Sequence, residues 1–164
     1  MIHLAKKEIT KEEKAMIEQV INLLKEHPIV EEMFNKYKMS IDDINDIPID
    51  FEVMDVSAKA KEGNITLNKN LLEDNNLIED LHYIVHELVH VLQFHAGRLE
   101  NMKHYDDDHY LDNPFEIEAF KEQVKFINKY KDSKAAEDYL SQLLNFHGYK
   151  GSERAKKLNQ LKGE

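Results

Sequence analysis

His86 and His90, with Glu87 beside the first of them, are the residues whose types and spacing could do chemistry in this chain. They stand in the run His86-Glu87-Leu88-Val89-His90, an H-E-x-x-H pattern. On a helix, residues four apart project from one face, one turn apart, so the two imidazoles can grip a single metal ion. Glu87 is one residue along. It can stay off the metal and still take a proton from an attacking water, as a general base must. The chemistry such a group would perform is metal-assisted hydrolysis.

The flanking sequence predicts the helix that this pattern needs. Leu77, Ile78, Leu81, Ile84, Val85, Leu88 and Leu92 recur at helical spacing between Leu77 and Gln93. Asp74-Asn75-Asn76 is read as its cap and Gly97 as its stop. His82 shares the face of the two histidines, but a rise of about 12 Å separates it from His90. It reads as a packing or supporting residue. Ahead of this helix the period changes. Ile47, Ile49, Phe51 and Val53 alternate as in a strand, Lys61-Glu62-Gly63-Asn64 signals a turn, and Ile65-Thr66-Leu67 is a second short strand. The two strands are expected to pair as a hairpin. An edge strand there would offer free backbone groups to an extended peptide.

The remaining elements back the core. Thr10-Lys11-Glu12-Glu13 is a capping box that opens a helix carrying Met16, Ile17, Val20, Ile21 and Leu24. Pro28 starts a second helix, and Ser40 caps a short third. After Gly97, Asp106, Asp107 and Asp108 read as a solvated acidic loop rather than a second metal site. Helices follow over Pro114 to Tyr130 and Ser133 to Phe146, and Lys150 to Glu164 reads as a polar tail or frayed helix.

These readings give an α+β fold, mostly helical, with a small sheet beside the H-E-x-x-H helix. At 164 residues one domain is expected, with a helical part over 1–46, strands and metal-site helices over 47–130, and a C-terminal helix and tail over 131–164. The chain has no Cys, so a metal must be held by His and carboxylate. A net charge of −10 argues against nucleic acid as partner. No apolar run suits a membrane span or a signal peptide, and the expected location is cytoplasmic. Oligomeric state is left open.

Two histidines leave a zinc site one protein ligand short. Ala96 stands six residues after His90, which rules out the pattern with a third histidine there. The downstream stretch Asn113-Pro114-Phe115-Glu116-Ile117-Glu118-Ala119-Phe120 offers two carboxylates, about 200° apart around a helix. Each has an ordinary explanation. Glu116 completes a capping box with Asn113, and Glu118 is placed to pair with Lys121.

The H-E-x-x-H run, followed by Tyr110-Leu111-Asp112-Asn113-Pro114-Phe115-Glu116-Ile117-Glu118-Ala119, resembles the gluzincin (HExxH…E) class of zinc metallopeptidases. Ile65-Thr66-Leu67-Asn68 looks like the short strand of ImmA/IrrE-type members, and the resemblance covers about residues 61–124. It implies a zincin-like fold and Zn2+ held by His86, His90 and Glu116, with Glu118 as the rival. Ala119, three residues after Glu116, would let the two helices approach closely. It also implies Glu87 as catalytic base and a peptide or protein substrate. Tyr110 leads as a second stabiliser of the oxyanion, with His109 and His104 behind it. The chain departs from the thermolysin-like pattern at Phe120, where an acidic residue would orient a ligand histidine; Asp112 is the candidate replacement. The alternative reading is a catalytically silent scaffold that binds a regulatory partner, and the presence of Glu87 favours catalysis over it. A hydrolase of a non-peptide substrate is a third reading.

Overall fold

Thr10 opens helix α1 (Lys11–Lys25) with the reciprocal capping box: its hydroxyl accepts from the Glu13 N–H, and the Glu13 carboxylate accepts from the Thr10 N–H. Val20, Ile21 and Leu24 on its inner face are buried. Pro28 supplies the first residue of α2 (Pro28–Lys36), which buries Ile29, Val30, Met33 and Phe34. Ser40 then caps a single 3-10 segment, Ile41–Asp46, rather than an α-helix. The computed structural model describes residues 9–97 and 107–163, apart from the side chains at 74–76, 107 and 108.

Three strands follow: β1 (Ile49–Glu52), β2 (Ala58–Lys61) and β3 (Asn64–Asn68). Their spatial order is β1-β3-β2. The expected hairpin between the first and second apolar strands is therefore corrected. β1 and β3 run parallel, with Ile49 opposite Ile65, and the hairpin partner of β3 is β2. Ala58-Lys59-Ala60-Lys61 gave little sign of a strand, because alanine is too small to mark an apolar face. The expected edge strand, β3, lies in the middle of the sheet, and β2 lies at its edge. Val53 falls outside β1 and is 85% exposed. The Asn68 amide donates to the carbonyls of Met54 and Val56, which holds the β1–β2 link in shape. At the β2–β3 turn, Gly63 has φ +83° and packs against Phe94 and His95.

The predicted helix from Leu77 is broken. A 3-10 segment (Lys69–Asn75) leads into one turn, α3 (Asn76–Glu79), and the main helix α4 (Leu81–His95) starts only after Asp80. Asp80 is its N-cap residue but makes no side-chain cap bond. Beyond the 3-10 segment Asp107–Asp112 come α5 (Pro114–Tyr130), α6 (Ser133–Phe146) and α7 (Gly151–Leu161). Of the two readings of the C-terminal stretch, tail or frayed helix, the structure has the helix. It packs because Leu161 is fully buried, and because Lys157 places its ammonium on the Leu111 carbonyl, Asp112 Oδ1 and Gln160 Oε1 at 2.8–2.9 Å.

Among the described residues two apolar clusters result. The larger is built from α1, α2, the sheet and α4, with Ala119 and Phe126 of α5. The smaller joins Phe120, Val124 and Ile127 of α5 to α6, α7 and Leu111. The fold is α+β and mostly helical, with its small sheet against α4. Helix α5 is the shared wall, so it is held from both sides where it faces α4.

Candidate metal centre

Helix α4 is buried over nearly its whole length, which leaves its polar residues little choice of partner. His86 and His90 emerge one turn apart and face α5, where Ala119 is fully buried between the helices. That small side chain gives the close approach that the next contact requires. Glu116 Oε1 lies 3.0 Å from His86 Nε2 and 3.0 Å from His90 Nε2. These three residues could hold a metal ion, with one ligand atom from each and all three atoms within 4.8 Å of one another.

The other ring nitrogens set the chemistry. His86 Nδ1 is 2.9 Å from Gln123 Oε1, and His90 Nδ1 is 2.8 Å from Gln93 Oε1. An amide oxygen only accepts, so each Nδ1 donates, and in the neutral form of either ring it is Nε2 that carries the lone pair facing Glu116. Two lone pairs and a carboxylate oxygen meeting at one point repel unless a cation lies between them. Ligand atoms held ~2.0–2.1 Å from one zinc ion in a tetrahedral array sit about 3.3 Å apart, close to the spacing found. The residues therefore fit a metal. Without one, a proton takes part of its place. Burial would lower the pKa of His90, but the hydrogen bond and charge of Glu116 outweigh it and lift the pKa to about 9. Burial pushes Glu116 up, and its bonds to His86 and His90 reverse this and hold it well below the usual carboxylate range.

Glu87 sits beside the cluster without joining it. Its carboxylate is buried, and Oε2 has no hydrogen-bond partner among the described residues. Burial raises its pKa, against the pull of His86, His90 and the Ala60 backbone. Ala60 belongs to β2, the edge strand that packs on α4. Asn68 N–H bonds to Ser57 O at 2.9 Å, and alternation along an antiparallel pair then turns the backbone groups of Ala58 and Ala60 away from β3. Among the described residues no strand pairs with this edge of the sheet, which lies next to Glu87.

Tyr110 comes from the 3-10 segment ahead of α5. Its hydroxyl donates to Glu116, and its ring lies edge-on to Phe120 and stacks on His147 at 5.5 Å. Burial, then the nearby Glu116 charge, raise its pKa, so the phenol keeps its proton. His109 instead lines an open cleft beside α7 with Asp112, Lys121 and His147. His104 and Asp106, and the side chains of Asp107 and Asp108, lie outside the described residues.

Glu118 does not approach the histidines. Its carboxylate meets Lys36, Tyr37 and Gln93 rather than Lys121. Asn113 caps α5 by accepting from the Phe115 N–H, but Glu116 does not close a capping box, because its oxygen is turned to the histidines. Asp112 is corrected as well: it pairs with Lys157, and Gln93 and Gln123 orient the two imidazoles. Neither glutamine carried a signal in the sequence, since a buried amide looks like any polar helix residue. Gln123 also donates to His82 Nδ1 at 2.8 Å. His82 packs against Tyr83 and Tyr139, and burial lowers its pKa to about 4, so it stays neutral.

No family model, no curated protein and no solved structure matches this chain. Among the described residues no helix is long and apolar enough to cross a membrane.

Proposed function

We propose that this protein is a zinc-dependent peptidase of the gluzincin kind, with a peptide or protein as substrate. One observation carries the reading beyond metal binding: the buried, unpartnered Oε2 of Glu87, next to the three candidate ligands. A carboxylate kept out of water and left one bond short is costly unless a substrate or reactant completes it. A metal site that only stabilises the fold does not require such a group, whereas a general base does. Zinc, when bound, would activate a water and polarise the carbonyl it attacks.

The chain's own residues supply the rest. His86, His90 and Glu116 would hold the metal. Glu87 accepts the proton of the attacking water through its free oxygen and passes it to the leaving amine. Its raised pKa makes it a stronger base than an exposed glutamate. Tyr110, whose hydroxyl bonds to Glu116 without substrate, would turn that hydrogen to the carbonyl oxygen as negative charge develops there. The backbone groups of Ala58 face away from β3 at the sheet edge, where an extended peptide can pair with them, and this favours a peptide over other hydrolysable substrates; the Ala60 backbone is engaged by Glu87. The silent-scaffold reading leaves the isolated Glu87 oxygen without a purpose.

Glu87→Gln tests the proposal. The amide keeps the size but cannot accept the proton. Zinc content and melting temperature should be retained while hydrolysis of a broad peptide library falls by about two to four orders of magnitude. Unchanged hydrolysis would place the chemistry elsewhere. A wild-type protein that holds zinc and captures peptides without cutting them would support the scaffold instead.

A further inference from the structure

Gln93 is fully buried, and its amide has only one workable orientation. The amide nitrogen lies 3.1 Å from the Phe115 carbonyl oxygen and 2.7 Å from Glu118 Oε1. Neither atom can donate, so the NH2 group must face them. The amide oxygen is thereby turned to His90 Nδ1, 2.8 Å away. An oxygen that only accepts requires His90 to donate from Nδ1 and to keep its Nε2 lone pair for the metal. A flipped amide would set its oxygen against two acceptors. Glu118 is fixed in turn from α2: Lys36 Nζ donates to Oε2 at 3.0 Å, and the Tyr37 hydroxyl donates to Oε1. His86 is held differently, because Gln123 spans it and the neutral ring of His82.

We infer that Glu118, acting through Gln93, is a positioning residue that fixes the tautomer and aim of His90 toward the metal. The chain Lys36/Tyr37–Glu118–Gln93 orients His90, as Gln123 orients His86, whose ring packs on Phe120. It ties the metal centre to α2, an element that contributes no ligand. The inference rests on the metal-binding part of the proposed function and is independent of peptide hydrolysis.

The test compares Glu118→Met, which keeps volume and removes the acceptor, with Glu118→Gln, whose amide oxygen can still accept from Gln93. Gln93→Leu and the double variant Gln93→Leu/Glu118→Met complete the set. Zinc affinity is read by competition with a chromophoric chelator, and folding by melting of the chelated proteins. Glu118→Met and Gln93→Leu should each weaken zinc binding about 10- to 100-fold, the usual effect of losing a residue that orients a ligand. Glu118→Gln should stay near wild type. The double variant should be no weaker than Gln93→Leu alone, because both act along one chain. In the zinc-loaded protein the His90 Nδ1–H signal, read by NMR, should exchange faster with solvent in Glu118→Met than in wild type. Wild-type affinity and a protected Nδ1–H in Glu118→Met would overturn the inference, as would fully additive losses in the double variant. If Glu118→Met does not fold, Gln93→Leu decides, and unchanged affinity in it overturns the inference. Absence of zinc binding in the wild type would instead sink the metal reading, and this inference with it.

Discussion

Removing the metal should make stability fall as pH rises, and the size of the fall follows from His90. The folded chain holds a proton on His90 up to about pH 9, against an ordinary value of 6.5. A group whose pKa is raised by folding stabilises the fold fully below its unfolded value and ceases to do so as pH passes its folded value. The window of loss is therefore from about 6.5 to about 9. At ~1.4 kcal/mol per pKa unit this gap corresponds to about 3.5 kcal/mol. Because His86 meets the same carboxylate oxygen, about 2–3 kcal/mol is a fairer figure. For a chain of this length ~1 kcal/mol moves the melting temperature by about 2–4 °C, so a drop of about 5–10 °C is expected. The assay is thermal melting in excess chelator at several values between these limits. Added zinc should abolish the drop, because it replaces the proton and binds better as pH rises. Glu116→Gln, which removes the charge that lifts His90, should flatten the curve without zinc. Equal melting temperatures at both ends in chelator, or an undiminished drop in Glu116→Gln, would refute the reasoning.

His86→Ala and His90→Ala should each abolish the binding of about one zinc per chain, measured by metal analysis after dialysis; wild-type occupancy in either would remove that residue from the ligand set. Tyr110→Phe should keep its zinc while turnover falls about 10²- to 10³-fold, the range for loss of one donor to an oxyanion, and an unchanged rate would reduce Tyr110 to a packed ring. Gly63→Ala should cost about 1–2 kcal/mol in denaturant melts, because Gly63 has φ +83° and a Cβ would lie 3.2 Å from the Phe94 ring.

Helical spacing carried the positions of α1, α2, α5 and α6, because each buries one stripe of large apolar residues against a core. The failures share a cause. Strand β2 is built of alanine and lysine, and what makes it a strand is backbone pairing with β3, which leaves no mark on side-chain type. Helix α7 has a weak apolar face, and a single buried lysine with three oxygen partners secures it. The break at Asp80 interrupts an apolar pattern that runs straight through it. The H-E-x-x-H pattern was legible because both imidazoles and Glu87 lie within five consecutive residues. The choice of Glu116 over Glu118 rested on the resemblance and on Ala119 three residues later; residue type alone left it open, since both lie on one helix and only its rotation against α4 separates them. The glutamine partner of His86 lies 37 residues from it in sequence, beyond any local pattern.

An ordinary ion pair would explain one histidine beside Glu116, but it does not explain two on the same oxygen. A single carboxylate needs one buried positive charge to balance it, and a second imidazole adds only desolvation cost unless a doubly charged ion is to be shared. Nor does an ion pair account for the glutamines. Each is nearly or fully buried and spends its amide oxygen on Nδ1, which leaves Nε2 free to bind a cation. Glu87 adds a third departure from a merely structural cluster, because a stabilising design would pair its buried oxygen or replace it with an apolar side chain. The three features lie on α4 and α5, and the two histidines with Glu116 converge on one point. A divalent ion at that point makes the doubled imidazoles and their glutamine partners mutually consistent, and the proposed role as base would account for the remaining oxygen of Glu87.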